Sequence, residues 1–418
     1  MGLKCKYIVL LGDGMADEPL AELGGKTPLE YADTPNMDFL ARSGETGLVK
    51  TVPEGFPPGS DVANLSVFGY DPKVCYSGRS PLEAASMGVE LSAEDVAFRL
   101  NMVYLETGRD GLLMGDFSAD HITTEEAAEL IATLQKEFGG GKFNFYPGVS
   151  YRHLMVWKGG ADEISLTPPH DISRQPIDPF LPQGKGAKQL ILLMNSSMLL
   201  FAEHPVNKAR IAAGKAPANS IWLWGQGKAP RISTLQDRFG ISGAVISAVD
   251  LIRGIGLYAG LDVIRVPGAT GYLDTNFSGK ADYALAALAD RDFVFVHVEA
   301  PDEASHEGSL EKKLKAIEDF DRHVVGRVVA GAGRYGDYRL LVLPDHPTPI
   351  RSMTHSAAAV PYALFSSSGE FFSPIVVERF GESAARSTGL YIQEGHRLLP
   401  KMIYGPKKYH EKTEGYAV

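Results

Sequence analysis

The chain has 418 residues, a formal net charge of −10, 44% hydrophobic residues and 22% charged residues. This composition is typical of a globular protein, and the length predicts two domains or one large domain that carries an insertion. Nothing in this acidic composition resembles the basic footprint of a nucleic-acid-binding protein, so we expect no nucleic-acid partner. No apolar run approaches the roughly 20 residues that span a bilayer, so we expect no membrane association.

The beginning of the chain and its cysteines predict a cellular location. The first residues lack the apolar stretch and the cleavage site of a signal peptide. Cys5 and Cys75 are expected to be free thiols, because two cysteines do not make a disulfide framework. We therefore expect a cytoplasmic protein.

Short apolar runs predict buried β-strands, each of which ends in a loop of turn residues. These runs are residues 7–11, 293–298, 340–343 and 362–365. Helical patterns at residues 281–290 and 310–329 lie between the later runs. Alternation of buried strands with helices predicts an α/β fold whose parallel sheet is covered on both faces.

The middle of the chain, from about residue 101 to residue 271, is interrupted by Gly-rich and Pro-rich breaks. Residues 123–138 and 188–203 have helical patterns, and 233–239 could begin another helix. We interpret this region as a second α/β domain inserted into the first, since insertion keeps the two ends of the host domain together. The predicted domains are residues 1–105 with 272–418, and residues 106–271.

Acidic and imidazole side chains follow three of the predicted strands. They are Asp13, Asp302, His306, Asp345 and His346, with His355 nine residues further on. The carboxyl ends of parallel strands share one edge of a sheet, where ligands bind. Mixed Asp and His sets suit Mn²⁺ or Zn²⁺, and six such groups exceed one tetrahedral site. The pattern therefore predicts two metals, an arrangement that serves phosphoryl chemistry.

Ser60 supplies a hydroxyl group between a Pro-Gly loop and a predicted helix at residues 61–68. At such an N-cap position a helix offers amide groups to an anion, and a metal would lower the pKa of the serine. Simpler interpretations stay open at this point: Ser60 as an ordinary cap, Asp13 as a turn former, and His297 as a packed core histidine. The coincidence of three strand ends favours the functional interpretation.

Several segments resemble the alkaline phosphatase superfamily and, more closely, the archaeal-type 2,3-bisphosphoglycerate-independent phosphoglycerate mutases. The superfamily resemblance is carried by Leu11-Gly12-Asp13-Gly14, Pro301-Asp302-Glu303-Ala304-Ser305-His306, Pro344-Asp345-His346 and Thr354-His355-Ser356. The closer resemblance adds Gly59-Ser60-Asp61-Val62-Ala63-Asn64-Leu65, Ser77-Gly78-Arg79-Ser80-Pro81 and the segment from Thr270 to Lys280. It implies an alkaline-phosphatase-like doubly wound parallel sheet with a second α/β domain inserted.

The resemblance also implies roles for individual residues. One metal would be held by Asp13, Ser60, Asp345 and His346, and the other by Asp302, His306 and His355. Ser60 and Lys280 would be catalytic, and Asn64, Arg79, Arg152 and Asp171 would bind substrate. Ser60 would take the phosphoryl group from the substrate and return it to the neighbouring hydroxyl. The expected reaction interconverts 3-phosphoglycerate and 2-phosphoglycerate, with Mn²⁺ the leading metal and Zn²⁺, Co²⁺ or Mg²⁺ as alternatives.

One departure from the family motivates alternatives to the mutase reaction. Archaeal-type members carry arginines in a stretch where this chain reads Gly115-Asp116-Phe117-Ser118-Ala119-Asp120-His121. Arginine is the preferred bidentate partner of phosphate and carboxylate groups. The changed residues therefore motivate a homoserine-kinase-like phosphotransferase that acts on another hydroxy or amino acid. A metal-dependent phosphatase is the other alternative, because a phosphoserine exposed to water would be hydrolysed.

Overall fold

The computed structural model describes residues 5–109, 111–371, 373 and 375–413, with side chains up to residue 406. The chain forms two compact units: residues up to Tyr76 combine with those from Arg231 onward, and Ser77–Pro230 form the other unit. The second unit is inserted into the first.

The unit boundaries lie earlier in the chain than the predicted domain boundaries at residues 105/106 and 271/272. The strand Val96–Gly108 belongs to the sheet of the inserted unit, whereas the strand Gly243–Ile246 belongs to the sheet of the first unit. Sheet membership is set by pairing with distant strands, so composition alone misplaced both boundaries.

The strands of the described residues are numbered in chain order. They are β1 (Lys6–Gly12), β2 (Glu45–Val49), β3 (Val96–Gly108), β4 (Gly111–Asp116), β5 (Phe143–Val149), β6 (Arg152–Trp157), β7 (Ile164–Ser165), β8 (Gln183–Gly184), β9 (Ser220–Lys228), β10 (Gly243–Ile246), β11 (Asp262–Val263), β12 (Phe293–Val298), β13 (Tyr338–Leu343), β14 (Val360–Ser366) and β15 (Tyr391–Ile392).

The α-helices are numbered in the same way. They are α1 (Pro28–Tyr31), α2 (Pro35–Ser43), α3 (Ser60–Val67), α4 (Pro72–Cys75), α5 (Ser80–Ser86), α6 (Thr124–Phe138), α7 (Ala187–Phe201), α8 (Pro205–Ala212), α9 (Leu235–Phe239), α10 (Asp250–Tyr258), α11 (Phe277–Ala287), α12 (Ala300–His306), α13 (Leu310–Phe320), α14 (Gly326–Ala332), α15 (Glu382–Ser387) and α16 (Leu398–Thr413). None of these helices combines the length and apolarity that a membrane crossing requires within the described residues.

The first unit is built on an eight-stranded sheet in the order β11-β10-β12-β1-β13-β14-β2-β15. Strands β12 and β13 flank β1, and both run parallel to it. Side chains alternate between the two faces of a strand. Ile8 and Leu10 pack with Ala281 of α11 and Phe320 of α13 in one hydrophobic cluster. Helices therefore cover one face of this central part of the sheet.

The strand β14 runs antiparallel to both of its neighbours, β13 and β2. The apolar run at residues 362–365 predicts a strand of a parallel sheet, and that part of the prediction is wrong. A parallel return needs a crossover, usually a helix. Residues 344–359 contain no helix and lead the chain back in the opposite direction.

The predicted helix at residues 310–329 is interrupted. Helix α13 ends at Phe320, a π-helical turn follows at Asp321–Val325, and α14 continues to Ala332. The buried carboxylate of Asp321 accepts the backbone N–H groups of Asn36 and Met37 at 3.2 and 2.7 Å. The turn thus satisfies amide groups at the start of α2.

The inserted unit contains a second sheet, in the order β4-β3-β6-β5 with β9 also paired to β3. Its helices α6 and α7 confirm the patterns at residues 123–138 and 188–203. The Thr123 hydroxyl accepts the Glu126 amide, and the Glu126 carboxylate accepts the Thr123 amide, which forms a capping box.

Candidate metal centre

Three parallel strands deliver acidic and imidazole groups to one edge of the first unit's sheet. Asp13 follows β1, Asp302 lies in the helix after β12, and Asp345 follows β13. Gly12 pairs with Val298, and Leu11 pairs with Leu343, so the three strands end at the same level. All three aspartates are almost fully buried.

Asp302 forms the centre of a first group with two histidines. Its Oδ2 lies 3.1 Å from His306 Nε2, and its Oδ1 lies 3.5 Å from His355 Nε2. The two histidine Nε2 atoms are 2.9 Å apart. His306 and Asp302 are one turn apart in α12, whereas His355 comes from the connection between β13 and β14.

His346 forms the centre of a second group, which contains the hydroxyl of Ser60. His346 Nε2 lies 3.1 Å from Ser60 Oγ, 3.5 Å from Asp13 Oδ1 and 3.4 Å from Asp345 Oδ2. The imidazole rings of His346 and His355 are 4.1 Å apart, so the two groups are contiguous.

Ser60 is the first residue of α3, and the N-cap position belongs to Gly59. This corrects the N-cap position predicted for Ser60. The Gly59 carbonyl accepts the Ala63 amide, the Asp61 carboxylate accepts the Val62 amide at 2.9 Å, and the N-cap residue itself has no side chain to contribute. The Ser60 hydroxyl does not cap the helix, and its Oγ lies next to His346 Nε2.

Thr348 joins the two groups through its hydroxyl. Its Oγ1 donates to Asp302 Oδ1 at 2.5 Å and lies 3.2 Å from His346 Nδ1. Thr348 is fully buried. Sequence patterns do not reveal this residue, because a lone threonine in a loop carries no chemical signature.

The pKa values of the two buried aspartates Asp13 and Asp302 shift in opposite directions. Burial raises the pKa of Asp13 well above its usual value, and the charge of Asp345 adds to that shift. Burial would also raise the pKa of Asp302, but hydrogen bonds from His306 and His355 hold it well below its usual value. The hydrogen bond to Asp302 raises the pKa of His306 to about 9.

The donor set fits divalent cations. Asp13 Oδ1 is buried and has no hydrogen-bond partner among the described residues. Only one of the two Nε2 atoms of His306 and His355 can carry a proton at their 2.9 Å separation. Three carboxylates with neutral imidazoles are the ligands that Mn²⁺, Zn²⁺ or Co²⁺ accept, and a bound cation would offset the burial of the acidic groups.

His297 lies against Asp13, although the strand pattern favours a packed core histidine. Its Nε2 is 2.9 Å from Asp13 Oδ2 and its Nδ1 is 3.2 Å from Ser247 Oγ. Ser247 Oγ accepts the Val249 amide at 3.0 Å, so its proton is directed to Nδ1 and the His297 Nε2–H donates to Asp13. Burial, and then the charge of Lys280, lowers the pKa of His297, which keeps the ring neutral.

Lys280 and Glu299 both lie against His297, the histidine that contacts Asp13. Lys280 is fully buried, and its Nζ donates to the carbonyl of His297 at 3.1 Å. Burial lowers the pKa of Lys280 to about 8, against the opposing charge of Glu299. Burial raises the pKa of Glu299 to about 8 as well, with Asp302 adding to the shift.

Asn64 lies behind the second group. Its Nδ2 donates to Asp345 Oδ2 at 2.8 Å and to the Ser60 carbonyl at 2.9 Å. It is fully buried, and its Oδ1 has no hydrogen-bond partner within the described part of the chain. These contacts orient Asp345 and the first turn of α3.

Comparison with known proteins connects this geometry to a family. Residues 41–207 match the family model described as 2,3-bisphosphoglycerate-independent phosphoglycerate mutase. A probable enzyme of that name from Geobacter sulfurreducens is 61% identical over 398 residues, which cover 95% of this chain and 99% of the other. One from Methanosarcina acetivorans is 54% identical over 402 residues, with 95% and 99% coverage. The chain belongs to the 2,3-bisphosphoglycerate-independent phosphoglycerate mutases.

Two solved structures are similar to the whole chain. A protein from Pyrococcus horikoshii is 31% identical with a TM-score of 0.79 and covers 96% of this chain and 97% of its own. The cofactor-independent phosphoglycerate mutase of Thermoplasma acidophilum is 25% identical with a TM-score of 0.65, at 96% and 98% coverage. The fold of the mutase family therefore extends over nearly the full length.

The other predicted substrate contacts of this mutase lie in the inserted unit. Arg79 Nε is 3.3 Å from Glu83 Oε1, and Arg152 is exposed on β6. Asp171 lies in a short 3-10 helix, Pro169–Ile172, with His170 Nε2 3.6 Å away. Their part in substrate binding stays a prediction.

The segment of residues 115–121 contains an unusual turn. Ala119, Asp120 and His121 have φ values of 48°, 56° and 46°, in the left-handed region that non-glycine residues rarely adopt. The Asp116 carboxylate accepts the Ser118 amide at 2.7 Å and the Asp120 amide at 2.9 Å. These bonds hold the turn in a conformation that costs about 1–3 kcal/mol per residue.

Proposed function

We propose that Ser60 carries the phosphoryl group in the reaction of this protein, and that two divalent cations bind at its side. Family membership gives the reaction, which is the interconversion of 3-phosphoglycerate and 2-phosphoglycerate in glycolysis and gluconeogenesis. The enzyme is thus an isomerase of the phosphotransferase type. Its substrate is a small phosphorylated acid.

The observation that supports this role is the position of the Ser60 hydroxyl. Its Oγ lies 3.1 Å from His346 Nε2, inside a buried set of carboxylates and imidazoles. A serine hydroxyl is a weak nucleophile at neutral pH unless a base or a cation activates it. Ser60 also begins α3, and a helix N-terminus favours an anionic group such as a phosphoryl group.

The proposed ligands form two sets around the nucleophile. Asp302, His306 and His355 would hold one cation, and Asp13, Asp345, His346 and Ser60 would hold the other. Bound divalent cations would lower the pKa of the serine hydroxyl and neutralise charge on the phosphoryl oxygens. Mixed Asp and His ligands favour Mn²⁺, with Zn²⁺ and Co²⁺ as alternatives.

The chain's own groups then account for the remaining steps. Asn64 holds the first turn of α3, so Ser60 faces the phosphorus during both transfers. In the first transfer the bond between phosphorus and the substrate oxygen breaks as the bond to Ser60 Oγ forms. In the second, the neighbouring hydroxyl of glycerate attacks and Ser60 Oγ leaves. Lys280 is a buried cation whose Nζ donates to the His297 carbonyl, and it would offset charge on the leaving oxygen.

The phosphatase and homoserine-kinase-like alternatives gain no support from the relatives described above, which carry the mutase name. The test is to supply Mn²⁺-loaded protein with 3-phosphoglycerate and to follow 2-phosphoglycerate and inorganic phosphate together. We expect 2-phosphoglycerate with little phosphate. Phosphate in place of the isomer would indicate a phosphatase instead.

A pair of variants tests the role of Ser60. Ser60→Ala should lower turnover by at least about a thousandfold, because the nucleophile is lost. Ser66→Ala, a buried serine of the same helix, should retain activity and serves as the matched control. Mass spectrometry of the wild type quenched with substrate should find one phosphoryl group on Ser60. Substantial activity of Ser60→Ala would contradict the proposal.

A further inference from the structure

A groove of about 660 Å³ lies in the first unit, beyond the C-terminal end of α3. Its walls come from residues 69–75, 231–239 and 396–404. Helix α3 has 8 residues, and a helix rises about 1.5 Å per residue, so its two ends are about 12 Å apart. No residue of the metal centre lines this groove. The groove is therefore a separate feature of the molecule.

Arg238 is held rigidly in the wall of the groove. Its guanidinium carbon lies 4.8 Å from the centre of the Tyr70 ring and 4.7 Å from that of Phe239. Its Nη1 is buried and has no hydrogen-bond partner among the residues that the structure describes. A buried donor without an acceptor is costly, and such exceptions often mark the position of an ion or water. Arg238 therefore has an unpaired donor that is shielded from solvent, in a side chain that lines the groove.

The charges around the groove favour an anion. Arg231 and Arg397 line it together with Arg238. Arg397 is 2.5 Å from Glu394, whereas Arg231 forms no ion pair within the described chain. The lining also contains two carboxylates, Asp71 and Asp237, so its three arginines exceed its acidic groups by one. Guanidinium groups are the strongest partners of phosphate oxygens.

Aromatic rings form another part of the lining. Phe239 and Tyr404 lie edge to face with their centres 5.6 Å apart, and the Tyr70 ring also contacts Arg238. Aromatic walls bind flat rings through stacked or edge-to-face contacts. The volume lies in the range of pockets that hold small organic ligands. The combination of arginines and rings suits a ligand that carries both a phosphate and a flat base.

A hydrogen bond also joins two of the segments that line the groove. The Tyr70 hydroxyl donates to the Ser233 carbonyl at 2.7 Å, which ties the segment after α3 to the segment before α9. Burial raises the pKa of Tyr70 to about 12, so this donor keeps its proton at neutral pH. A pre-formed site loses little conformational entropy when its ligand binds.

We propose that this groove binds a mononucleotide, with its phosphate on the guanidinium groups of Arg238 and Arg231 and its base against Phe239 and Tyr404. The site is independent of the mutase reaction, since it shares no residue with the metal centre. Its test measures binding and needs no turnover.

The probe is AMP, titrated by calorimetry into the metal-loaded full chain with saturating 3-phosphoglycerate present. We expect one AMP per chain. Arg238→Met, which keeps the packing of the stem, should weaken binding at least tenfold, while the exposed Arg265→Met should leave it unchanged. Adenosine and inorganic phosphate, tested separately, should each bind at least tenfold more weakly than AMP.

Several results would overturn the proposal. Absence of AMP binding, displacement of AMP by 3-phosphoglycerate, or unchanged affinity in Arg238→Met would each do so. If inorganic phosphate binds as tightly as AMP, the base does not contribute to binding, and the proposed mononucleotide site is only an anion site. Arg238→Lys covers the case in which the methionine variant does not fold, because lysine keeps the charge but lacks the planar fork; it too should weaken AMP binding.

Discussion

His297 is expected to act as a positioning residue for Asp13, and its replacement should weaken metal binding. The variant His297→Phe keeps the flat ring in a fully buried position but removes both ring nitrogens. It deletes the 2.9 Å hydrogen bond to Asp13 and the 3.2 Å contact with Ser247. A hydrogen bond to a charged group contributes about 1.5–3 kcal/mol. We therefore expect metal affinity to fall about 10–100-fold, the range known for residues behind metal ligands.

The assay separates metal binding from the chemical steps. Mutase activity is measured against Mn²⁺ concentration, and the concentration that gives half-maximal activity should rise in His297→Phe. The KM for 3-phosphoglycerate at saturating Mn²⁺ should change little, because His297 is buried behind Asp13. Calorimetric titration of the metal provides a readout that does not depend on activity.

Two further variants control for simple loss of packing. The Nε2 amide of Gln can replace the ring Nε2–H, so His297→Gln should recover much of the metal affinity. Ser247→Ala should have a smaller effect than His297→Phe, since it removes only the group that fixes the tautomer. If His297→Phe binds Mn²⁺ as tightly as the wild type, Asp13 does not depend on this bond and the reasoning fails.

Three other predictions concern stability and metal loading. In His153→Asn the free energy of unfolding should fall less at acidic pH than in the wild type, because burial lowers the pKa of His153 to about 4. Tryptophan fluorescence during urea unfolding measures this free energy. Asp321→Ala should destabilise the protein by about 2–4 kcal/mol, since it leaves buried donors of Asn36 and Met37 unpaired; the midpoint of urea unfolding measures the loss. Chelation should abolish mutase activity and lower the melting temperature. Mn²⁺ at a concentration a thousandfold above its Kd should raise the free energy of unfolding by about 4 kcal/mol.

The sign of the pH effect follows from the direction of the shift. Above the ordinary pKa of about 6.5, His153 is neutral in both the folded and the unfolded chain and contributes nothing. As the pH falls from 6.5 towards 4, His153 becomes protonated in the unfolded chain but stays neutral in the folded chain. The free energy of unfolding should therefore fall by roughly 3 kcal/mol across this window. Trp157, Trp222 and Trp224 are the chain's tryptophans, and all three lie in the inserted unit with His153.

Each of the other two predictions has its own check. Asp321→Asn keeps one acceptor oxygen and should lose less stability than Asp321→Ala; equal losses would mean that the hydrogen bonds to α2 contribute little. Activity that survives exhaustive chelation, verified by elemental analysis, would contradict a metal-dependent reaction.

The sequence is sufficient to find the chemical groups at the sheet edge. Apolar runs that end in Asp13, Asp302 and Asp345 indicate buried strands, and parallel strands of one sheet bring their ends together. Because both steps depend on local pattern and a general topological rule, the clustering of these groups is predictable from the sequence alone. The motifs around Ser60 and His355 add the family and its reaction.

Tertiary structure alone decided the features that depend on which segment meets which. His297 lies in a strand that is buried on both faces, so the pattern cannot distinguish a core position from one beside a ligand. Pairing of Leu11 with His297 puts the ring next to Asp13. The direction of β14, the unit boundaries and the groove around Arg238 likewise arise from contacts between segments far apart in the chain, and such contacts leave no periodic trace in the sequence.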